Sequence, residues 1–199
     1  MVGTWSCSRW CVVSGYRARQ QWGWHRLDAE WARKIVRSSG IRRGEEVIEI
    51  GAGTGALTAA LLDAGAEVLA VELHSARADE LRRRFADAPV TVIQCDARDF
   101  RWPQRPFRVL ANPPFGITSS LLRALLEPRN ALCRADLLLQ KGVVSKYTSP
   151  DWASTGFSAS RGLVVPRSAF SPRPRVDTAV LILSRRDGAE RRRFRPKAP

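Results

Sequence analysis

The chain predicts an α/β fold, a doubly wound and mostly parallel sheet with an antiparallel hairpin at one edge. Three observations carry that expectation. From residue 46 onward, short runs rich in Val, Ile and Leu alternate with helical stretches, as strands buried on both faces and joined by crossovers do. The first run ends in the glycine-spaced turn "EIGAGTGALT", the strand-to-helix connection with which such sheets bring backbone against a ligand. The last two runs, 162–166 and 176–184, are joined by "RSAFSPRPR". That link is too short for a crossover helix, so the two strands pair antiparallel.

Taken in order, residues 1–26 show no periodicity and read as a loosely ordered basic arm. The folded domain is expected over 27–185 and a basic tail over 186–199. "LDAEWARKIVRSSG" places Leu27, Trp31, Ile35 and Ile41 on one side of a helix stopped by Gly40. Strands follow at 46–51, 67–72, 90–95, 107–112 and 135–140, with helices at 54–65, 75–86, 118–127 and 141–149 between and after them. Each strand is a short apolar run, and each helix keeps helical spacing. No internal repeat interrupts the pattern.

At 199 residues the chain has room for one sizeable domain. No run of 18 apolar residues occurs, so no membrane-spanning helix is expected, and the N-terminus is broken by Arg9, Arg17 and Arg19 where a secretory signal would be apolar. A cytoplasmic protein is the expectation. Of the four cysteines, Cys7 and Cys11 have no partner pair for a zinc site, and Cys95 and Cys133 sit in or beside apolar runs as small core residues. No metal site is expected. The net charge is +14, from 33 basic and 19 acidic residues. The excess is spread over both ends and the body, which suggests a polyanionic partner, nucleic acid in the first place.

Three strand ends in succession carry chemistry. Gly51, Gly53 and Gly55 form the first turn, with the third glycine one residue sooner than in the dinucleotide fingerprint. Glu72 ends the second strand 21 residues after Gly51, where a carboxylate can accept both ribose hydroxyls. Asp96 follows the third strand in "QCDARDF" and can accept the exocyclic amine of an adenine ring. S-adenosylmethionine fits this row better than NAD, since nothing is tuned to a pyrophosphate.

The fourth strand ends in "VLANPPFGI". An Asn-Pro pair also simply makes a turn after a buried strand, so this stretch takes its meaning from its neighbours in the row. An amine conjugated to a ring is a poor nucleophile. The Asn112 side-chain oxygen and the Pro113 carbonyl can each accept one of its hydrogens and aim its lone pair at a sulfonium methyl. Prolines fix that carbonyl by restricting φ at Pro113 and Pro114. Phe115 supplies a face for the base, worth about 1–3 kcal/mol. Positioning then carries the catalysis and no general base is needed.

With these residues read, the stretches "EIGAGTGALTAALL", "VLAVEL", "QCDARDF", "LANPPFGITSSLLRALL" and "AFSPRPRVDTAVL" together resemble the rRNA adenine dimethyltransferases. The nearest likeness is to the Erm-type enzymes of 23S rRNA, over roughly residues 21–185. The glycine turn is common to many methyltransferases, whereas N-P-P-F with F-x-P-x-P-x-V-D is specific. The resemblance implies a Rossmann-like, class I S-adenosylmethionine-dependent methyltransferase acting on one adenine of 23S rRNA and conferring macrolide–lincosamide–streptogramin B resistance. By position it makes Gly51, Gly53, Gly55, Glu72, Leu73, Asp96, Ala97 and Asn112 cofactor contacts. Asn112, Pro113 and Phe115 become the catalytic corner.

Two departures stand out. Before the first helix the family reads Gln-Asn/His-Phe-Leu and this chain reads "WGWHRL", which puts His25 and Leu27 at the Asn and Leu positions as further cofactor contacts. The family's helical domain is not expected after "AVLILS", so RNA recognition would rest on the catalytic unit, arm and tail. A monomer acting on rRNA before or during ribosome assembly is implied. A small-subunit rRNA dimethyltransferase is the first alternative, but those enzymes typically read N-L-P-Y and keep the helical domain. DNA adenine and protein glutamine methyltransferases share N-P-P-F/Y without the F-x-P-x-P-x-V-D stretch. A non-catalytic RNA-binding protein on the same fold would not need the intact set Gly51, Glu72, Asp96 and Asn112.

Overall fold

The alternation of apolar runs and helical stretches builds a sheet whose two faces are covered by different helices. The computed structural model describes residues 25–152 and 156–186. The expected tail, apart from Arg186, and all but the last two residues of the expected arm lie outside them. The chain begins with β1 (Arg26–Leu27), α1 (Ala29–Ser39), β2 (Glu46–Ile50), α2 (Ala56–Asp63) and β3 (Glu67–Glu72). It continues through α3 (Ser75–Arg84), β4 (Val90–Gln94), β5 (Phe107–Ala111), α4 (Thr118–Leu125), β6 (Leu132–Gln140) and α5 (Lys141–Tyr147). It ends with β7 (Phe157–Val165), β8 (Phe170–Ser171) and β9 (Thr178–Arg185).

The main sheet has the order β4-β3-β2-β5-β6-β9-β7. The first five strands are parallel, and β9 runs antiparallel to both β6 and β7. From β2 the chain winds outward through β3 to β4, then returns to lay β5 on the other side of β2. That reversal opens a crevice outside the carboxyl ends of β2 and β5, the place where open α/β sheets bind ligands. The Gly51 turn follows β2 and Asn112 follows β5, so topology alone brings these two expected elements together.

Strand residues alternate between the faces with period two. Val47, Val68, Ala70, Leu110 and Leu138 pack with α1, α2 and α3 through Ile35, Val36, Leu57, Leu61 and Leu81. Ile48, Ile50, Leu69, Val71, Val109 and Leu137 pack with α4 and α5 through Leu121, Leu122, Leu125 and Val144. Cys95 and Cys133 are both buried, in keeping with small core residues.

Three boundaries differ from expectation. Leu27 does not open the first helix. It pairs with Phe170 in the two-stranded β1–β8 ribbon, because Asp28 takes the N-cap and accepts the Glu30 and Trp31 N–H groups at 2.8 and 3.3 Å. Gly40 stops the helix as read, in a left-handed conformation. β6 begins three residues earlier than expected, at Leu132. β7 begins at Phe157, five residues before the predicted 162, because it is an edge strand paired only with β9 and its solvated face allows "SASR" where a central strand would be apolar.

The end of the sheet opposite the crevice is tied by charge. Buried Arg108 donates to Glu45 at 3.1 Å, to Asp136 at 3.2 Å and to the Ser39 carbonyl, while Arg134 also grips Asp136 at 2.9 Å. One guanidinium therefore joins the end of α1, the entry to β2, and strands β5 and β6.

Candidate active site

A strand that must turn sharply into a helix needs residues free to adopt positive φ, and Gly51, Gly53 and Gly55 do so, at 73°, 58° and 79°. A Cβ at Gly55 would lie 2.8 Å from the Phe85 ring and 2.9 Å from Leu81, and one at Gly51 would lie 3.2 Å from Pro114 Cδ. The first glycine lets the corner after β5 approach, and the third lets α3 pack beneath the turn. Gly55 is thus a buried helix cap rather than a wall of the crevice.

Glu72 ends β3 and is buried. Its Oε2 accepts the Gly53 N–H at 2.8 Å and its Oε1 the His74 N–H at 2.9 Å. A carboxylate has about four acceptor positions, so Glu72 holds the turn in shape and keeps acceptor capacity for a ligand. Asp96 stands past the next strand with both oxygens engaged by Arg98, through N–H at 2.9 Å, Nε at 3.0 Å and Nη2 at 2.6 Å. The Arg98 hydrogen bonds hold its carboxyl below the usual aspartate range despite partial burial. Sequence reading took Asp96 as a free acceptor and missed this partner, although Arg98 stands only two residues on.

The corner after β5 is fixed from the other side of the chain. Asn112 Nδ2 donates to the His25 carbonyl at 3.1 Å. One of its two amide hydrogens is thereby committed, which orients the amide and leaves its oxygen as the acceptor end. His25 Nδ1 lies 2.7 Å from the Pro172 carbonyl, and since a carbonyl only accepts, that nitrogen carries the proton. The His25 ring also sits 5.4 Å from Phe115, tilted by 42°, and 6.5 Å edge-on from Phe170. Pro113 is buried, and Phe115 opens a 3₁₀ turn, half-buried, before α4.

Within the crevice an open cleft of about 270 Å³ is bordered by His25, Leu27, Glu49, Gly51, Gly53 and Asn112, among others. Five of these six were expected from sequence. Glu72, Leu73, Asp96 and Ala97 lie outside that cleft, further along the strand ends, and Ala97 packs against the α4-side core.

Glu49 was missed. It lies in the apolar run "EVIEI" of β2, wholly buried, and accepts the Thr58 hydroxyl at 2.6 Å. Burial pushes its carboxyl up to about 8, with a further rise from the nearby Glu72 and only partial relief from the Thr58 hydrogen bonds. The signal was an acid at the centre of a buried strand with no base at strand spacing. Among the described residues, no group of three His, Cys, Asp or Glu could hold a metal ion, and no helix is long and apolar enough to cross a membrane.

The geometry has counterparts among known proteins. A family profile described as "Ribosomal RNA adenine dimethylase" matches residues 17–194. The chain belongs to the ribosomal RNA adenine dimethylase family. Relatives in that family include the ribosomal RNA small subunit methyltransferase A of Alcanivorax borkumensis, 35% identical over an alignment of 184 residues that covers 84% of this chain and 66% of that one. An rRNA adenine N-6-methyltransferase of Corynebacterium diphtheriae is 36% identical over an alignment of 147 residues that covers 70% of this chain and 57% of that one. Two solved structures superpose with a TM-score of 0.72. The 23S rRNA methyltransferase ErmE is 28% identical, covering 81% of this chain and 70% of that one. A dimethyladenosine transferase from Plasmodium falciparum is 26% identical, covering 85% and 66%. The chain spans about two thirds of the length of the small-subunit relatives it matches. The dimethylase family thus supplies the class I methyltransferase fold seen here.

Proposed function

We propose that the chain methylates the exocyclic amine of an adenine in 23S rRNA, using S-adenosylmethionine, and so confers macrolide–lincosamide–streptogramin B resistance. The observation that carries this reading is the oriented amide of Asn112. With one Nδ2 hydrogen bound to the His25 carbonyl, the amide is oriented, and its oxygen is the end that accepts an amine hydrogen. The Pro113 carbonyl is the second acceptor, its direction limited by the two prolines, and Phe115 offers a ring for the base. A Gly51 Cβ would stand 3.7 Å from Pro113 Cα, so the amine clamp and the glycine turn adjoin.

The chain's residues fit the cofactor. Gly51 and Gly53 leave backbone open to it, Glu72 retains acceptor positions for a ribose, and the turn borders the amine clamp. Once bound, S-adenosylmethionine supplies an electrophilic methyl on a sulfonium. The chain's part is to hold the amine, exclude its free rotation and keep the attack line. Leu73, Asp96 and Ala97 continue the row where the base of the cofactor is proposed to lie. Asp96 would then share its oxygens with Arg98 or exchange them. His25 and Leu27 border the cofactor cleft from the β1 side.

Pro113, where the small-subunit enzymes typically carry Leu, favours the Erm-type target. A second reading, methylation of small-subunit rRNA, is favoured by the likeness to the small-subunit relatives. Tritium transfer from labelled S-adenosylmethionine to protein-free 23S and 16S rRNA separates the two. Label confined to 23S rRNA supports the Erm-type reading. Label confined to 16S rRNA supports the other, and label in neither removes both. A monomer acting in the cytoplasm, before or during ribosome assembly, completes the proposal.

A further inference from the structure

We propose that the loop 171–177, "SPRPRVD", is the seat of the RNA backbone beside the target nucleotide, with Arg173, Arg175 and Lys141 as its phosphate contacts. The inference rests on the proposed reading of the site as an RNA methyltransferase centre, and it names the side from which the strand enters.

The loop is fastened through three backbone carbonyls. The Pro172 carbonyl accepts from His25 Nδ1 at 2.7 Å, and the Pro174 carbonyl accepts from Arg167 Nε at 2.9 Å. The Asp177 carbonyl accepts the Lys141 N–H at 2.8 Å. Pro174 is buried, whereas Arg173, Arg175 and Lys141 are exposed. Two prolines restrict φ further. Pro174 is thus held inward and the two arginines that flank it are displayed outward, about 7 Å apart along an extended chain.

The fastening also fixes where the cations stand. His25, which holds Pro172, supplies the carbonyl for Asn112 and lies 5.4 Å from the Phe115 ring. Lys141 begins α5 directly after β6, the neighbour of β5 in the sheet. All three cations therefore border the amine clamp on the β6–β9 side. The cofactor row of Gly51, Glu72 and Asp96 runs the opposite way, across β2, β3 and β4. Asp177 is the loop's one acid, so the rim stays cationic. A base inserted at Phe115 would leave its flanking phosphates on this rim, where arginines neutralise charge without reading sequence.

The test compares two triple variants of equal charge. One is Arg173→Gln/Arg175→Gln/Lys141→Gln. The control is Arg42→Gln/Arg43→Gln/Arg129→Gln, whose residues are exposed and precede β2 and β6 at the opposite end of the sheet. Affinity for a fluorescein-labelled RNA hairpin with an unpaired adenine in its loop is measured from 0.05 to 1 M salt. Each lost phosphate contact on a single strand lowers the slope of log K against log salt by roughly 0.7. Three lost contacts lower it by about 2.1, or roughly 100-fold in affinity at 0.1 M, with the difference closing toward 1 M. The control keeps the wild-type slope. Equal slopes for both variants, or a weakening that does not change with salt, would overturn the proposal. Because the readout is binding, it decides the rim whether or not the hairpin is methylated. Methyl transfer by the wild type to 23S or 16S rRNA separately decides the reading of the site.

Discussion

Glu49→Gln isolates a charge that the fold keeps neutral. The carboxyl is held at about 8 against an ordinary 4.5 by burial beneath the glycine turn. A group raised in this way adds its full stability below the unfolded value and loses it as pH climbs through the folded one. With 1.36 kcal/mol per pKa unit, the linkage relation loses about 3–4 kcal/mol between pH 5 and pH 8. Glutamine keeps the shape and an oxygen for the Thr58 hydroxyl but does not titrate. The difference in unfolding free energy between wild type and Glu49→Gln should therefore move by about 3–4 kcal/mol over that range, in favour of the variant at high pH. For a chain of this size, that corresponds to roughly 7–14 °C in relative Tm. Urea unfolding at half-unit pH steps reads it, and titrating groups that do not interact with Glu49 cancel in the comparison. Parallel stability profiles for the two proteins would refute the argument, because they would mean that Glu49 titrates normally and is not sealed from water.

The remaining expectations concern the clamp and the tie beneath it. Asn112→Ala should leave S-adenosylmethionine affinity within a few-fold and nearly abolish methyl transfer, as calorimetry and tritium incorporation on one preparation would show. An equal loss of both would make Asn112 a cofactor residue alone. Phe115 should accept Tyr or Trp and fail as Ala in steady-state methylation, since a π-face is what a base stacks on. A fully active Phe115→Ala protein would assign the ring to packing. Arg108→Met should cost about 3–5 kcal/mol in chemical denaturation by leaving buried Glu45 without its cation, while the folded fraction keeps its cofactor affinity. A loss of that affinity in folded protein would show that the far end of the sheet communicates with the crevice.

What the sequence disclosed follows the range of the forces involved. Strand and helix positions came through because apolar periodicity is local, and the parallel core from β2 to β6 was legible from it. The glycine turn and the N-P-P-F corner were legible too, because each is a contiguous stretch with unusual backbone demands. Pairings between distant residues were not. Nothing near His25 indicates that its carbonyl takes the Asn112 amide or that its ring reaches Pro172, contacts spanning 87 and 147 residues. Leu27 was misplaced because its apolar phase suits a helix, while the Asp28 cap and the β8 partner Phe170 set the boundary. Glu49 was passed over because a strand pattern records which residues are buried and not what burial does to a carboxyl. Edge strand β7 was read short for the converse reason, that its polar residues face water.

Mass spectrometry of rRNA fragments from cells with and without the protein bears most directly on the function argued here. Both rRNAs are digested and every adenine-bearing fragment is weighed for added methyl groups. One or two methyls on a single adenine of 23S rRNA, lost when Asn112→Ala replaces the wild type, is the result expected. Methylation confined to 16S rRNA, or fragment masses identical in the two sets of cells, would contradict it.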